Sequence, residues 1–142
     1  MILSQTALYA LRATLCLAGQ EPSEPVRVDD IAERLDVPRN YLSKILHALA
    51  RAGVLSSSRG PGGGFRLARP AAELMLADVA ELFDQVPDEP FCLLGRSECS
   101  DVTPCAAHEH WRSVSVAVSD FFRRTSIADL SLLPTASTGR KG

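Results

Sequence analysis

Three cysteines and a histidine crowd one short stretch of this chain: Cys92, Cys99, Cys105 and His108. Thiolates and imidazole are the ligands that zinc, iron and copper take, and thiols of low pKa also react with oxidants. Pro87 and Pro90 lead into the stretch, and Gly95 and Pro104 punctuate it, so it reads as a loop that could fold around a metal or act as a redox trigger. The fourth cysteine, Cys16, lies far away in an apolar segment and is expected to be a small buried hydrophobe.

The elements before the loop read as a nucleic-acid reader. Ser4 can cap a helix to about Ala18, with Leu8, Leu11 and Leu15 on one face. A short helix is expected from about Val28 to Leu35, with Asp29 and Asp30 at its positive end and Ile31 and Leu35 on its buried side. Pro38 opens a third helix to about Ala52, closed by Gly53. Leu42, Ile45, Leu46 and Leu49 form its buried stripe, while Asn40, Ser43, Lys44, His47 and Arg51 share the other face. Two helices joined by a tight turn, the second polar and basic on its outer face, make a helix-turn-helix whose second helix fits the major groove.

Two short strands follow, 54–58 and 65–69, joined by Arg59, Gly60, Pro61, Gly62, Gly63 and Gly64. Glycines here let the tip approach another surface closely, and Arg59 can reach phosphate or the minor groove, so the hairpin reads as a wing. With Arg39 and Tyr41 at the helix start and Arg66 on the second strand, the expected DNA contacts are Arg39, Asn40, Tyr41, Ser43, Lys44, His47, Arg59, Gly60, Gly62, Gly63 and Arg66. Charge agrees. Between Asp36 and Glu73 there is no acidic residue, but Arg39, Lys44, Arg51, Arg59, Arg66 and Arg69 are basic, in a chain of net charge −2.

A fourth helix is expected from about Ala77 to Gln85, with Val79, Leu82 and Phe83 packing back on the reader. After the cysteine loop, Pro104 opens a long helix to about Arg124. Its side chains Trp111, Val114, Val118, Phe121 and Phe122 form a stripe too apolar for water, which implies a homodimer through this helix. Ser126 and Asp129 suggest a cap on a last short helix reaching Leu132 or Leu133, and residues 134–142 are expected to be disordered. The fold class is mainly α with a small β-hairpin wing. The expected division is a winged helix-turn-helix at 1–85, a cysteine loop at 86–104, a dimer helix with a short terminal helix at 105–133, and a tail.

No apolar run reaches membrane-spanning length and no signal-peptide pattern opens the chain, so a cytoplasmic protein is expected. Thiols stay reduced there, which favours ligands over disulfides. Enzyme readings find little purchase. There is no Ser-His-Asp order, and the glycine run lies between strands rather than before a helix, so it fails as a nucleotide loop.

Several of these strings together resemble the IscR/NsrR-type iron–sulfur transcription regulators. The likeness runs from Leu3 to about Leu132 and rests on Tyr9-Ala10-Leu11-Arg12-Ala13, Tyr41-Leu42, Gly53-Val54-Leu55, the wing string Arg59 to Phe65, the cysteine trio, and Ile127-Ala128-Asp129-Leu130. The resemblance implies a homodimeric winged-helix regulator of double-stranded promoter DNA, with a repressor the first expectation. It also implies an iron–sulfur cluster, [2Fe-2S] before [4Fe-4S], whose presence or redox state alters DNA affinity in response to redox, nitric oxide or iron and cluster status. Cys92, Cys99 and Cys105 take the ligand positions, and His108 completes the set. Leu8 stands where some relatives carry an acidic ligand, which strengthens His108, with Glu109 and His110 as other candidates; six residues separate Cys92 from Cys99 where many relatives have five. The ligand chemistry leaves two alternatives. Three Cys and one His also satisfy a structural zinc site, although the Cys92–Cys99 spacing is wide for one. A metal-free thiol switch is the other, with Cys105 at a helix N-terminus.

Overall fold

A computed structural model describes residues 3–20, 24–84, 86, 92–97 and 99–131. Helix α1 spans Gln5–Ala18, and the Ser4 hydroxyl accepts from the Ala7 amide at 3.2 Å to cap it. Its buried face is not the leucine row. Ala7, Ala10, Ala13, Thr14 and Leu17 are buried, while Leu8, Leu11 and Leu15 are only half-buried. Small side chains let neighbouring backbones approach α1 closely, and Thr14 returns its hydroxyl to the Ala10 carbonyl at 2.8 Å. Cys16, expected to be buried, is half-exposed, with the Arg34 guanidinium 3.9 Å from its sulfur.

Helix α2 spans Val28–Leu35 and α3 spans Arg39–Arg51. Between them Asp36 adopts φ 56, a left-handed conformation that Asp tolerates at a helix C-terminus. Val37 is buried, and Pro38 stands just before the first turn of α3. Leu42, Ile45, Leu46 and Leu49 are buried, as their 3.6-residue spacing requires. Gly53 at φ 85 ends α3 and turns the Val54 amide back to the Leu49 carbonyl at 3.0 Å.

The wing is an antiparallel hairpin of β1, Leu55–Ser58, and β2, Gly64–Leu67, in the register Leu55↔Leu67 to Ser58↔Gly64. A third segment, invisible in the sequence, completes it: Val26 and Phe65 exchange both backbone hydrogen bonds at 2.8 Å. A Cβ on Gly64 would lie 2.4 Å from the Val26 carbonyl oxygen, so that approach requires glycine.

After a 3₁₀ turn at Ala71–Glu73 comes α4, only Leu76–Ala80, shorter than the sequence suggested. Val79 is buried and Phe83 packs on the core, but Leu82 is 41% exposed. The long helix α5 begins at His108, not Pro104, and ends at Arg124. The chain then returns to the reader. Leu76 donates to the Thr125 carbonyl at 2.9 Å and Ile127 to the Leu74 carbonyl at 2.7 Å, ahead of α6, Ile127–Ser131. Ser126 and Asp129 exchange side-chain and backbone hydrogen bonds at 3.0 and 2.8 Å, the capping box expected there. Phe122 and Ile127 lie in the same core as Leu42 and Leu49, and Arg123 pairs with Glu81 to pin the end of α5. Leu132 and Leu133, and the expected tail, lie outside the described residues.

Candidate metal centre and nucleic-acid interface

Two tight turns build the cysteine loop. Gly95, at φ 80, donates to the Cys92 carbonyl at 3.1 Å, and the Ser100 hydroxyl accepts from the amides of Val102 and Thr103, both at 3.2 Å. These turns fold the loop back so that the sulfurs of Cys92, Cys99 and Cys105 all lie within 4.8 Å of one another. The Cys92 and Cys105 sulfurs are 3.6 Å apart. Cys105 precedes α5 rather than sitting in its first turn, and its carbonyl accepts from the His108 amide at 3.1 Å.

His108, the first residue of α5, turns Nδ1 to within 3.3 Å of the Cys99 sulfur, while its Nε2 meets Asp101 Oδ1 at 2.9 Å. A carboxylate only accepts, so Nε2 carries a proton, and in the neutral ring the Nδ1 lone pair faces the Cys99 sulfur. A ligating histidine oriented by a carboxylate on its far nitrogen has this form. Arg112, one turn further along α5, donates to the same Asp101 oxygen at 2.9 Å. The His108 hydrogen bond and the Arg112 charge together hold the Asp101 carboxyl below its usual range.

The thiols differ among themselves. The backbone N–H of Arg96, with help from Cys105, brings Cys92 down from 9.0 to about 7 against the effect of burial. At Cys99 the amide of Cys105 favours the thiolate, but burial and the neighbouring thiols of Cys105 and Cys92 push the pKa up. A cavity of about 330 Å³ opens over the cluster, with Trp111 and Leu93 on its walls. Three thiols, one oriented imidazole and room beside them suit a metal ion or a small metal cluster. Sequence reasoning missed Asp101 and Arg112. The signal was present: a carboxylate between two ligand candidates is what positions a histidine.

The residues expected to contact DNA lie in different surroundings. Asn40, Lys44, His47 and Arg51 are exposed along one side of α3, with Ser43 half-buried among them. Two residues depart from it. Tyr41 packs edge-on against Tyr9, ring centres 5.7 Å apart, and its hydroxyl pairs with Thr6, so it anchors α3 to α1. Arg39 is ion-paired with Asp29 across the helix-turn-helix. At the wing tip Arg59, Gly60 and Gly62 are exposed, and the Gly63 amide closes the turn on the Gly60 carbonyl at 2.9 Å. Arg66 is exposed on β2.

The apolar stripe of α5 divides. Phe122, expected at the dimer interface, is instead 7% exposed in the chain's own core, and Val118 is half-buried against it. Val114 and Phe121 are 43% and 48% exposed, and Trp111 is half-buried beside the cysteines. Ser115 and Ser119 complete the inward face, a pair that no apolar pattern marks for burial.

Comparison with known proteins agrees with this architecture. The family model "Rrf2: Iron-dependent Transcriptional regulator" matches residues 3–132. A candidate HTH-type transcriptional regulator of Aquifex aeolicus is 38% identical over 92% of this chain and 91% of its own. The HTH-type transcriptional regulator IscR of Vibrio campbellii is 34% identical over 92% of this chain and 77% of its own. Among solved structures, CymR, the global cysteine regulator of B. subtilis, superposes with a TM-score of 0.77 over 93% of this chain and 97% of its own, at 23% identity, a likeness of fold.

Proposed function

Since the chain belongs to the Rrf2 family of transcriptional regulators, we propose that it is a homodimeric, DNA-binding regulator whose operator affinity is set by an iron–sulfur cluster. Cys92, Cys99, Cys105 and His108 would hold the group. The observation that carries this reading is the convergence of three sulfurs within 4.8 Å, with a histidine lone pair fixed toward them by Asp101. Bound there, a cluster supplies a redox-active centre open to oxidants, nitric oxide or iron loss. The chain's own residues do the rest. His108 and Arg112 belong to α5 and Asp101 to the loop, so the ligand set ties loop to helix. The far end of α5 is pinned to α4 and the reader by Arg123 and Phe122, which gives a continuous path from the site to the DNA-binding elements.

Asn40, Ser43, Lys44, His47 and Arg51 would face the major groove, and Arg59 with Gly60, Gly62, Gly63 and Arg66 would follow the backbone or minor groove. Val114 and Phe121, rather than Phe122, would meet the partner. The exposed large hydrophobics among the described residues all lie between Leu82 and Phe121, which supports partner coverage of that region. Promoter occlusion, hence repression, in the cytoplasm is the role we assign, with no enzymatic step. No helix among the described residues is long and apolar enough to cross a membrane.

One observation favours a second reading. Sulfurs around a single tetrahedral ion with bonds of about 2.3 Å lie about 3.8 Å apart, and the Cys92–Cys105 separation is 3.6 Å. A structural zinc therefore fits the present spacing as well. Anaerobic absorption spectra with metal and acid-labile sulfide analysis divide the cases. Colour with sulfide supports the cluster, one colourless zinc per chain supports the staple, and thiols alone leave a thiol switch. Operator titrations of the loaded protein against Cys105→Ala should then differ by about 5- to 150-fold. Identical affinities at matched salt would reduce the site to a staple.

A further inference from the structure

The reading face contains one side chain whose hydrogen-bonding sense, in the neutral ring, is set by the fold before DNA arrives. His47 Nδ1 lies 2.8 Å from the Ser43 backbone carbonyl, one turn earlier on α3. A carbonyl cannot donate, so Nδ1 carries the hydrogen, and in the neutral ring Nε2 is left as an acceptor. The ring's other constraint comes from the wing. Phe65 meets it edge-on with ring centres 5.2 Å apart and planes at 88°. Phe65 is itself buried and pinned through both backbone hydrogen bonds to Val26. The imidazole is thus held between recognition helix and wing and is exposed on the face shared with Asn40, Lys44 and Arg51, and because Nδ1 takes the Ser43 carbonyl, Nε2 is the ring nitrogen that this contact leaves over.

We propose that His47 is a specificity-determining residue that reads an exocyclic amine, cytosine N4 or adenine N6, in the major groove of each half-site. Only those two groups donate there; guanine O6 and N7 and thymine O4 accept and would meet a lone pair with a lone pair. A flexible side chain of either sense could reorient to suit the base. This one cannot without giving up the Ser43 contact and leaving the Phe65 edge. The assignment rests on the DNA-binding reading and adds to it a predicted base class.

Selection from randomised duplex DNA with the full chain, wild type and His47→Ala, tests it. Position 47 is exposed on a helix and alanine is a good helix former, so the variant should stay folded, losing no more than about 1 kcal/mol with the Phe65 ring contact. The expected result is one position per half-site where the wild type enriches cytosine or adenine and His47→Ala is indifferent, with the other positions unchanged. Replacing that base by its analogue lacking the amine, 2-pyrimidinone or purine, should weaken the wild type about 3- to 10-fold, the range of one net hydrogen bond. It should leave His47→Ala unaffected. Selection that His47→Ala does not alter overturns the assignment, as does a lost preference for guanine or thymine. A uniform loss across all sequences with a salt slope lower by about one unit overturns it too, by making His47 a phosphate contact. A wild type that enriches no sequence overturns the helix-turn-helix reading itself, which the first comparison therefore separates from the role of His47.

Discussion

Phe121 and Phe122 are neighbours in sequence and partners in an edge-on ring contact, 5.6 Å between centres, yet the structure gives them opposite duties. Phe122 is 7% exposed within the core that also holds Ile127 and Leu49, so Phe122→Ala removes a buried aromatic and leaves a cavity. That costs about 3–5 kcal/mol, a large share of the 5–15 kcal/mol typical of a domain. Phe121 is 48% exposed. In the isolated chain Phe121→Ala should cost only about 1 kcal/mol, from half a side chain's burial and part of the ring contact. If Phe121 meets the partner, its loss should weaken the dimer by about 2 kcal/mol, roughly 30-fold in Kd. Denaturant unfolding at dilute protein measures the first quantity and sedimentation equilibrium the second. Measurement at two concentrations is needed because dimerisation itself stabilises the fold. The expected pattern is an unstable Phe122→Ala and a stable, dissociated Phe121→Ala. Two variants with the same stability loss, or a Phe121→Ala dimer as tight as the parent's, would refute the division of this helix into a core edge and a partner edge.

Gly64→Ala should cost about 2–3 kcal/mol, because its Cβ would meet the Val26 backbone at 2.4 Å and break the Val26–Phe65 pair. Gly62→Ala, at φ +79 in open space, should cost only about 1 kcal/mol of conformational strain, and equal denaturation midpoints would discredit the third segment of the wing. In metal-free protein, Cys92 should alkylate with a midpoint near its pKa of about 7 and ahead of Cys99, whose pKa is raised. The sign for stability is that of a depressed acid: the thiolate's contribution is full above the unfolded value of 9.0 and is lost as pH falls through about 7. Mass spectrometry of the alkylated peptides across pH checks the order, and Cys99 reacting first would contradict the loop geometry.

Much of the reader was written locally. The spacing of Leu42, Ile45, Leu46 and Leu49, the proline before α3, the glycine after it and the glycine run of the wing each impose backbone geometry within a few residues, so periodicity and steric rules reach them from sequence. The donor set of the candidate metal site was legible for a similar reason: thiols and imidazole are chemically marked wherever they fall. The tertiary structure decided what depends on residues far apart or on faces without a hydrophobic label. Val26 joins the wing across a long separation that no local pattern encodes. Alanines on α1 and serines on α5 are buried because small side chains permit close helix approach, so the core side of each helix is not its most apolar side. The type of Tyr41 suits a DNA contact, but Thr6 and Tyr9 hold it inward. The hydrogen bonds that orient His108 and His47 belong to this second class, since a tautomer is set by whichever acceptor the fold places beside the ring.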